Sequence, residues 1–296
     1  MWMPINKYWR DDMALIAMAV YDTIENRRSS LTHATLRDLA HTVDWSDNRL
    51  FIIDNASCKD TQDIYHGWAL NERIPLIETW KLIRLRENVG TAKAINLAWR
   101  KRNPGEMCVK MDNDVAIWEE GWIDLMQTVL EKRDDIGIVG LKRKDCEERP
   151  DHPNQEWYGS KLKFLPHVPG ERWIVIEEVK HVMGTCQGYN SDLLDVIGYL
   201  YQLDGLYGFD DALASYRAHI AGWYTVFIPQ VEIDHCDPPG ENATSPYRVW
   251  KQRYSGERMA AYNIEKKRLD DTSNVYYGGD FESYEELIID ETQYEI

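Results

Sequence analysis

Strand-length apolar runs alternate with stretches of helical period over the first half of this chain, and that alternation restricts the fold more than any other feature. Ala14–Val20 reads Ala-Leu-Ile-Ala-Met-Ala-Val without a polar residue, and Leu50-Phe51-Ile52-Ile53 is equally apolar. A strand with no polar face is covered on both sides, as in parallel sheets layered between helices. Residues 23–43 carry Leu31, Leu36, Leu39 and Val43 at helical spacing. The same reading predicts a helix over 61–70, a strand over 80–85, and a helix over 91–102 with Ala94, Ile95 and Ala98 on one face. A strand over Met107–Met111, a helix over 121–132 and a strand over 136–141 follow. The expected class is α/β, with a Rossmann-like, mostly parallel central sheet flanked by helices.

The pattern breaks over residues 142–172, where prolines, charges and aromatics mix without period, as in an insert or long loop. Regular structure is predicted again over 173–179, with a short helix over 191–196 and a clearer one over Asp210–Ile220, capped by Gly222. Strands are expected at 223–228 and 231–233. A Pro/Gly-rich loop over 236–246, a helix over 248–268 and an acidic stretch over 269–296 complete the chain. This divides it into a main domain over 1–235, with the insert 142–172, and an extension over 236–296 made of mobile loop, helix and acidic tail.

Charge removes several classes of partner. The formal net charge is −16, and residues 269–296 hold nine acidic side chains and no basic one. That balance opposes tight binding to nucleic acid or to an anionic membrane, although Lys142-Arg143-Lys144 and residues 248–258 offer local basic surface. No run of 18 apolar residues exists, so no transmembrane segment is expected. The first twelve residues lack a signal-peptide layout. Five scattered cysteines without a Cys-x-x-Cys pair read as reduced thiols, and the expected location is cytoplasmic.

The chemistry-bearing residues gather at strand ends. In open parallel sheets, ligands bind beyond the carboxyl ends of the strands. Three of those ends are polar here: Tyr21-Asp22, Asp54-Asn55 and Asp112-Asn113-Asp114. The i, i+2 spacing of Asp112 and Asp114 points both carboxylates the same way in extended backbone, which suits Mg²⁺ or Mn²⁺ shared with a substrate phosphate. A solvated turn gives the same triplet. Asp54 fits either a turn aspartate or an acceptor for a nucleobase or ribose. Asn88-Val89-Gly90 opens a helix, either as a plain turn or as a close approach to an anion. Asp210 and Asp211 start another helix, as caps or as a general base. His235 ends a strand, either as a structural side chain or as a third ligand for a carboxylate-bound cation.

In this order the residues resemble the GT-A fold of glycosyltransferases, and most of all the family-2 type, over roughly residues 13 to 237. The resemblance rests on Asp54-Asn55-Ala56-Ser57, on Asn88 and Gly90, and on Asp112 and Asp114. Downstream it takes in Asp210-Asp211 with Arg217, and then His235. The family's Glu of the Glu-Asp pair is Asp210 here. The resemblance implies a metal-dependent glycosyltransferase, a hexosyltransferase, moving sugar from a nucleotide-sugar to an acceptor hydroxyl with inversion. A UDP-sugar is the favoured donor. Asp54 would meet the nucleobase with Arg86 nearby, and Tyr21, Asn88 and Gly90 would line the donor site. Asp112 would serve the ribose or the metal shell, Asp114 and His235 would bind Mn²⁺ or Mg²⁺, and Asp211, with Asp210 beside it, would act as base. The loop over 236–246 would be a lid.

The resemblance leaves the acceptor open among glycans, small molecules, proteins and a hydroxylated base in DNA. A sugar-phosphate nucleotidyltransferase would need a Gly-rich loop after the first strand, where the chain has Tyr21-Asp22-Thr23-Ile24-Glu25-Asn26. A non-catalytic sugar-nucleotide-binding module would lack a base or metal ligands, and candidates for both are present.

Overall fold

The computed structural model describes residues 14–70, 79–144, 161–167, 172–236, 249 and 258–295. In chain order these form β1 (Ala14–Val20), α1 (Ser29–Thr42), β2 (Arg49–Asp54), α2 (Lys59–Leu70), β3 (Thr79–Leu85), α3 (Thr91–Trp99), β4 (Met107–Met111) and the short β5 (Val115–Ala116). Next come α4 (Trp122–Lys132), β6 (Ile136–Arg143), β7 (Lys161–Phe164), β8 (Val175–Val179), β9 (Cys186–Tyr189), α5 (Ser191–Ile197) and α6 (Asp210–Ile220). Last are β10 (Tyr224–His235), α7 (Arg258–Thr272) and β11 (Ile288–Glu295).

The strands form one sheet in the order β11-β3-β2-β1-β4-β9-β6-β10-β8-β7, with β5 pairing β10. β1 lies near its middle and is apolar throughout because its alternate residues enter two cores. Ile16 and Met18 pack with Leu36, Leu39 and Trp122 on one face. Leu15 and Ala17 pack with Ile95, Trp99 and Ala218 on the other. Residues that alternate across a fully covered sheet must all be apolar.

The expected mostly parallel sheet is corrected by the pairing. The β3-β2-β1-β4 block and the β6-β10 pair are parallel. β9 runs antiparallel to both β4 and β6, and β8, β7 and β11 are antiparallel to their neighbours, so the sheet is mixed. β9 is only Cys-Gln-Gly-Tyr and gives no apolar period. Its Gly188 is closely packed, since a Cβ would stand 3.2 Å from the sulfurs of Met107 and Met126.

Two further differences have local causes. The first helix begins at Ser29 rather than at residue 23. Thr23 and Asn26 exchange side-chain and backbone hydrogen bonds at 2.8 and 3.0 Å, and Arg27 takes a φ of 54°, so this segment closes on itself instead of starting the helix. The acidic stretch over 269–296 is also ordered in part. Its β11 pairs antiparallel with β3, with Thr292 opposite Leu82. Residues 237–257 other than 249 lie outside the described residues, and with them the predicted lid and the first half of the predicted helix over 248–268. Part of the insert, 145–160, lies outside them too. No helix among the described residues is long and apolar enough to cross a membrane.

Candidate active site

The carboxyl ends of β1, β2, β4 and β10 open on one rim, together with the start of α6. Asp112 and Asp114 follow β4, and the backbone N–H of Asp112 donates to Thr185 O at 3.0 Å. β10 delivers His235 to the same place. His235 pairs with Val115 across β5, and the Cys236 N–H donates to Asp114 O at 2.7 Å. The donor atoms of Asp112, Asp114 and His235 lie within 4.8 Å of one another.

Asp114 is buried, and Arg28 holds it at 2.5 Å while His235 Nε2 lies 3.1 Å from the same oxygen. Burial pushes this carboxyl up, but the His235 and Arg28 contacts outweigh it and hold it well below the usual carboxylate range. Asp22 is also buried. It accepts from Thr32, Thr61 and Asn113 at 2.6–3.0 Å, so it ties α1 and α2 to the middle residue of the Asp112-Asn113-Asp114 turn. Burial raises its pKa against those bonds.

A second carboxylate group faces the first. Asp210 and Asp211 open α6 after Phe209, which sits in the left-handed region at φ 64° and stacks on Tyr262 at 4.9 Å. A non-glycine residue there is strained, and such strain is characteristic of functional turns. Asp211 Oδ2 accepts the Gly184 N–H at 2.8 Å and lies 3.3 Å from His181 Nε2. Burial raises Asp211, but His181, Lys110 and the Gly184 N–H together hold it low. Asp210 is different: burial raises its pKa, opposed by Lys110 and reinforced by the neighbouring Asp211 and Asp112.

Two cavities meet here. One is narrow, about 60 Å³, and Tyr21, Arg28, Asn55, Asn88, Asp112 and Asp114 are among its walls. The other is about 530 Å³ and is lined by Asp210, Asp211, His181, Arg143, Phe209 and Met259 among others. Thr91, Asp112, Tyr207 and His235 belong to both, so the candidate cation ligands Asp112 and His235 stand at the junction.

Three expected residues are not among those walls. Asp54 turns onto the Ser57 N–H at 2.7 Å, with Arg84 rather than Arg86 3.5 Å away. Arg86 is exposed, and its backbone N–H donates to Leu287 O. Gly90 lies beneath Gln202, whose oxygen takes the Lys93 N–H of α3, while Thr91 N–H donates to Leu206 O. Those first-turn donors are thus given to the protein rather than to an anion. Sequence reasoning passed over Arg28, Lys110, His181 and Tyr207. Lys110 alone carried a signal, as a single charge inside the apolar strand Met-Cys-Val-Lys-Met.

The donor set suits a hard divalent cation. Two carboxylates and an imidazole converge, and among the described residues the buried cation Arg28 lies against Asp114 while Lys110 lies 3.5 Å from Asp112 and Asp210.

The mixed α/β sheet flanked by helices, with carboxylates at its strand ends, is a GT-A-like fold. Residues 18–198 match the family described as glycosyl transferase family 2, and the chain belongs to that family. No curated protein matches it. Among solved structures it is similar to the mannosyltransferase PcManGT from Pyrobaculum calidifontis in complex with GDP-Man and Mn²⁺. That match has 16% identity and a TM-score of 0.61, over 86% of this chain and 64% of that one. It is also similar to S. aureus TarS 1-349 in complex with UDP-GlcNAc, at 17% identity and TM-score 0.54, over 79% of this chain and 61% of that one. GalNAc-T7 with UDP, GalNAc and Mn²⁺ matches at 13% identity and TM-score 0.56, over 88% of this chain and 54% of that one. At these identities the likeness is one of fold, and the chain spans less than two thirds of each matched structure.

Proposed function

We propose that the chain transfers a hexose from a nucleoside-diphosphate sugar, with a UDP-sugar favoured, to an acceptor hydroxyl. The single observation that carries this reading is the position of Asp112 and His235 between two cavities, with Asp114 behind them and Asp210-Asp211 across the larger one. The narrow cavity, too small for a whole nucleoside, would mark only the donor's side of the site, and the larger one would take the sugar and acceptor. Asp112, Asp114 and His235 would hold Mn²⁺ or Mg²⁺, which supplies neutralisation of the diphosphate leaving group when bound.

Asp211 is the base in this reading. Its carboxyl is held ionised and oriented by His181 and Gly184. It takes the acceptor hydroxyl proton as the oxygen bonds to the anomeric carbon and the bond to the diphosphate breaks, with inversion. Asp210, turned to Lys110, supports it. PcManGT with GDP-Man and Mn²⁺ and TarS with UDP-GlcNAc support a nucleotide-sugar donor. A hydroxylated DNA base is a weaker acceptor reading, because Lys142 and Lys144 of the basic triplet pair with Glu177 and Asp234.

The test is donor hydrolysis over a panel of UDP- and GDP-sugars, with and without Mn²⁺, for the native chain and for Asp114→Ala. Metal-dependent turnover lost in Asp114→Ala is expected, and no turnover with any donor would refute the reading. Asp211→Asn is expected to abolish transfer while donor binding stays near native. If Asp210→Asn does so instead, the base is its neighbour.

A further inference from the structure

β4 contains one charged residue, Lys110, and its side chain is almost wholly out of water, with 3% of the residue exposed. Alternation sends Met107, Val109 and Met111 into one core and Cys108 into the other. Lys110 and Asp112 share the face of Cys108. The Lys110 ammonium donates to Gly184 O at 2.8 Å and lies 3.5 Å from both Asp112 Oδ1 and Asp210 Oδ2. Gly184 donates its own N–H to Asp211 Oδ2 at 2.8 Å. One buried cation therefore touches a carboxylate of the cation site, a carboxylate of the acceptor side, and the glycine whose N–H holds the proposed base. The fit leaves no slack, since a Cβ on Gly184 would stand 2.5 Å from Lys110 Nζ and 3.2 Å from Asp211 Oδ2.

We propose that Lys110 is a positioning residue that sets the spacing between the donor-side carboxylate Asp112 and the acceptor-side pair Asp210-Asp211. The proposal rests on the sugar-transfer reading above. An isolated buried ammonium is costly, and it is retained here because the carboxylates around it compensate its charge. In the same position it keeps Asp210 and Asp211 from swinging apart and competes with a divalent cation for Asp112. Lys110 itself touches neither sugar nor nucleotide. It acts through the groups it spaces, and a displacement of these by about 1 Å is enough to cost about 100-fold in rate.

The two actions give opposite signs in one variant, which a merely structural lysine would not do. Lys110→Met keeps the length and removes the charge. In Mn²⁺ titrations by electron paramagnetic resonance, without nucleotide, it is expected to bind Mn²⁺ about tenfold tighter than the native chain, because a cation beside Asp112 is gone. In donor hydrolysis its kcat is expected to fall about 100-fold with KM within about threefold of native. Lys110→Arg is expected to recover at least a tenth of native kcat. Gly184→Ala, which keeps the lysine but presses a methyl on its ammonium, is expected to lower kcat with KM held, and it stands in if Lys110→Met does not fold. Unchanged or weaker Mn²⁺ binding in Lys110→Met overturns the proposal, as does a kcat within threefold of native. A native chain inactive on every donor would instead count against sugar transfer, and the Mn²⁺ titration would still decide the role of Lys110.

Discussion

Arg28 and Asp114 are 86 residues apart in the chain, yet their side chains meet at 2.5 Å with 5% and 3% of their surfaces exposed. The pair pins the entry to α1 against the end of β4. Removing one partner from a buried ion pair leaves the other uncompensated, at a cost of about 3–5 kcal/mol. Asp114→Asn in metal-free protein is expected to lose about that much stability in urea unfolding. The pH dependence has a definite sign. The folded pKa of Asp114 lies below its unfolded value, so its contribution is fully present above the unfolded carboxylate pKa of about 3.9 and is lost as pH falls below it. The stability gap between native and Asp114→Asn should therefore still be present at about pH 5 and close as pH falls below about 4. A gap that closes near neutrality would mean that Asp114 is not held low.

Gly90 and Gln202 make a second testable couple. Gly90 has a φ of +93°, and a Cβ there would overlap Gln202 Nε2 at 1.9 Å. Gln202 in turn donates to Val89 O and Gly205 O, both at 2.8 Å. Gly90→Ala is expected to cost about 2–4 kcal/mol, part backbone and part overlap. Adding Gln202→Ala should return about 1 kcal/mol or more in a double-mutant cycle. Strict additivity would place the whole cost in the backbone.

Arg217 is the family-like arginine six residues after Asp211, and its work is architectural. Its guanidinium donates to Val275 O at 2.7 Å, to Tyr199 O at 2.8 Å and to Ile197 O, tying α6 to α5 and to the segment after α7. Burial pulls its pKa down to about 10. Arg217→Met strands three carbonyls and is expected to cost about 2–4 kcal/mol in chemical denaturation, with Arg217→Lys in between. A neutral Arg217→Met would show that water replaces the guanidinium without loss.

Thiol chemistry offers a probe of the core. Burial pushes the Cys108 and Cys186 thiols far up, with Glu106 and Asp112 respectively adding to it. Both are expected to resist iodoacetamide at pH 8 in the native state and to react only on unfolding, because the thiolate is the reactive species. Mass spectrometry after brief alkylation reads this directly. Early labelling of either would mean that the strand carrying it opens locally.

The parallel block of the sheet was legible because β1 and β2 carry apolar runs and β3 and β4 are mostly apolar, all separated by helical periods. β9 and β11 were not. β9 has four residues and a central glycine. β11, Ile-Ile-Asp-Glu-Thr-Gln-Tyr-Glu, looks like a polar tail until an edge is found for it. The convergence of Asp112 and Asp114 was legible because strand-end carboxylates declare themselves by spacing. The helix-start carboxylates were legible too, although choosing between Asp210 and Asp211 depends on Lys110, His181 and Gly184, which come from other segments. Asp54 lies outside the two cavities for a similar reason. A side chain at a strand end can turn to a nearby backbone N–H, and sequence does not say when it will.

β11 also has a consequence for how the chain is made. Its partner β3 precedes it by about 200 residues, so at about 5–20 residues per second β3 has no outer neighbour for roughly 10–40 s of synthesis. An unpaired strand edge is a template for wrong association. When β11 arrives, it covers that edge and leaves an outer border carrying Asp290 and Glu291. Acid from that stretch then places like charge along the edge where a further strand would have to pair.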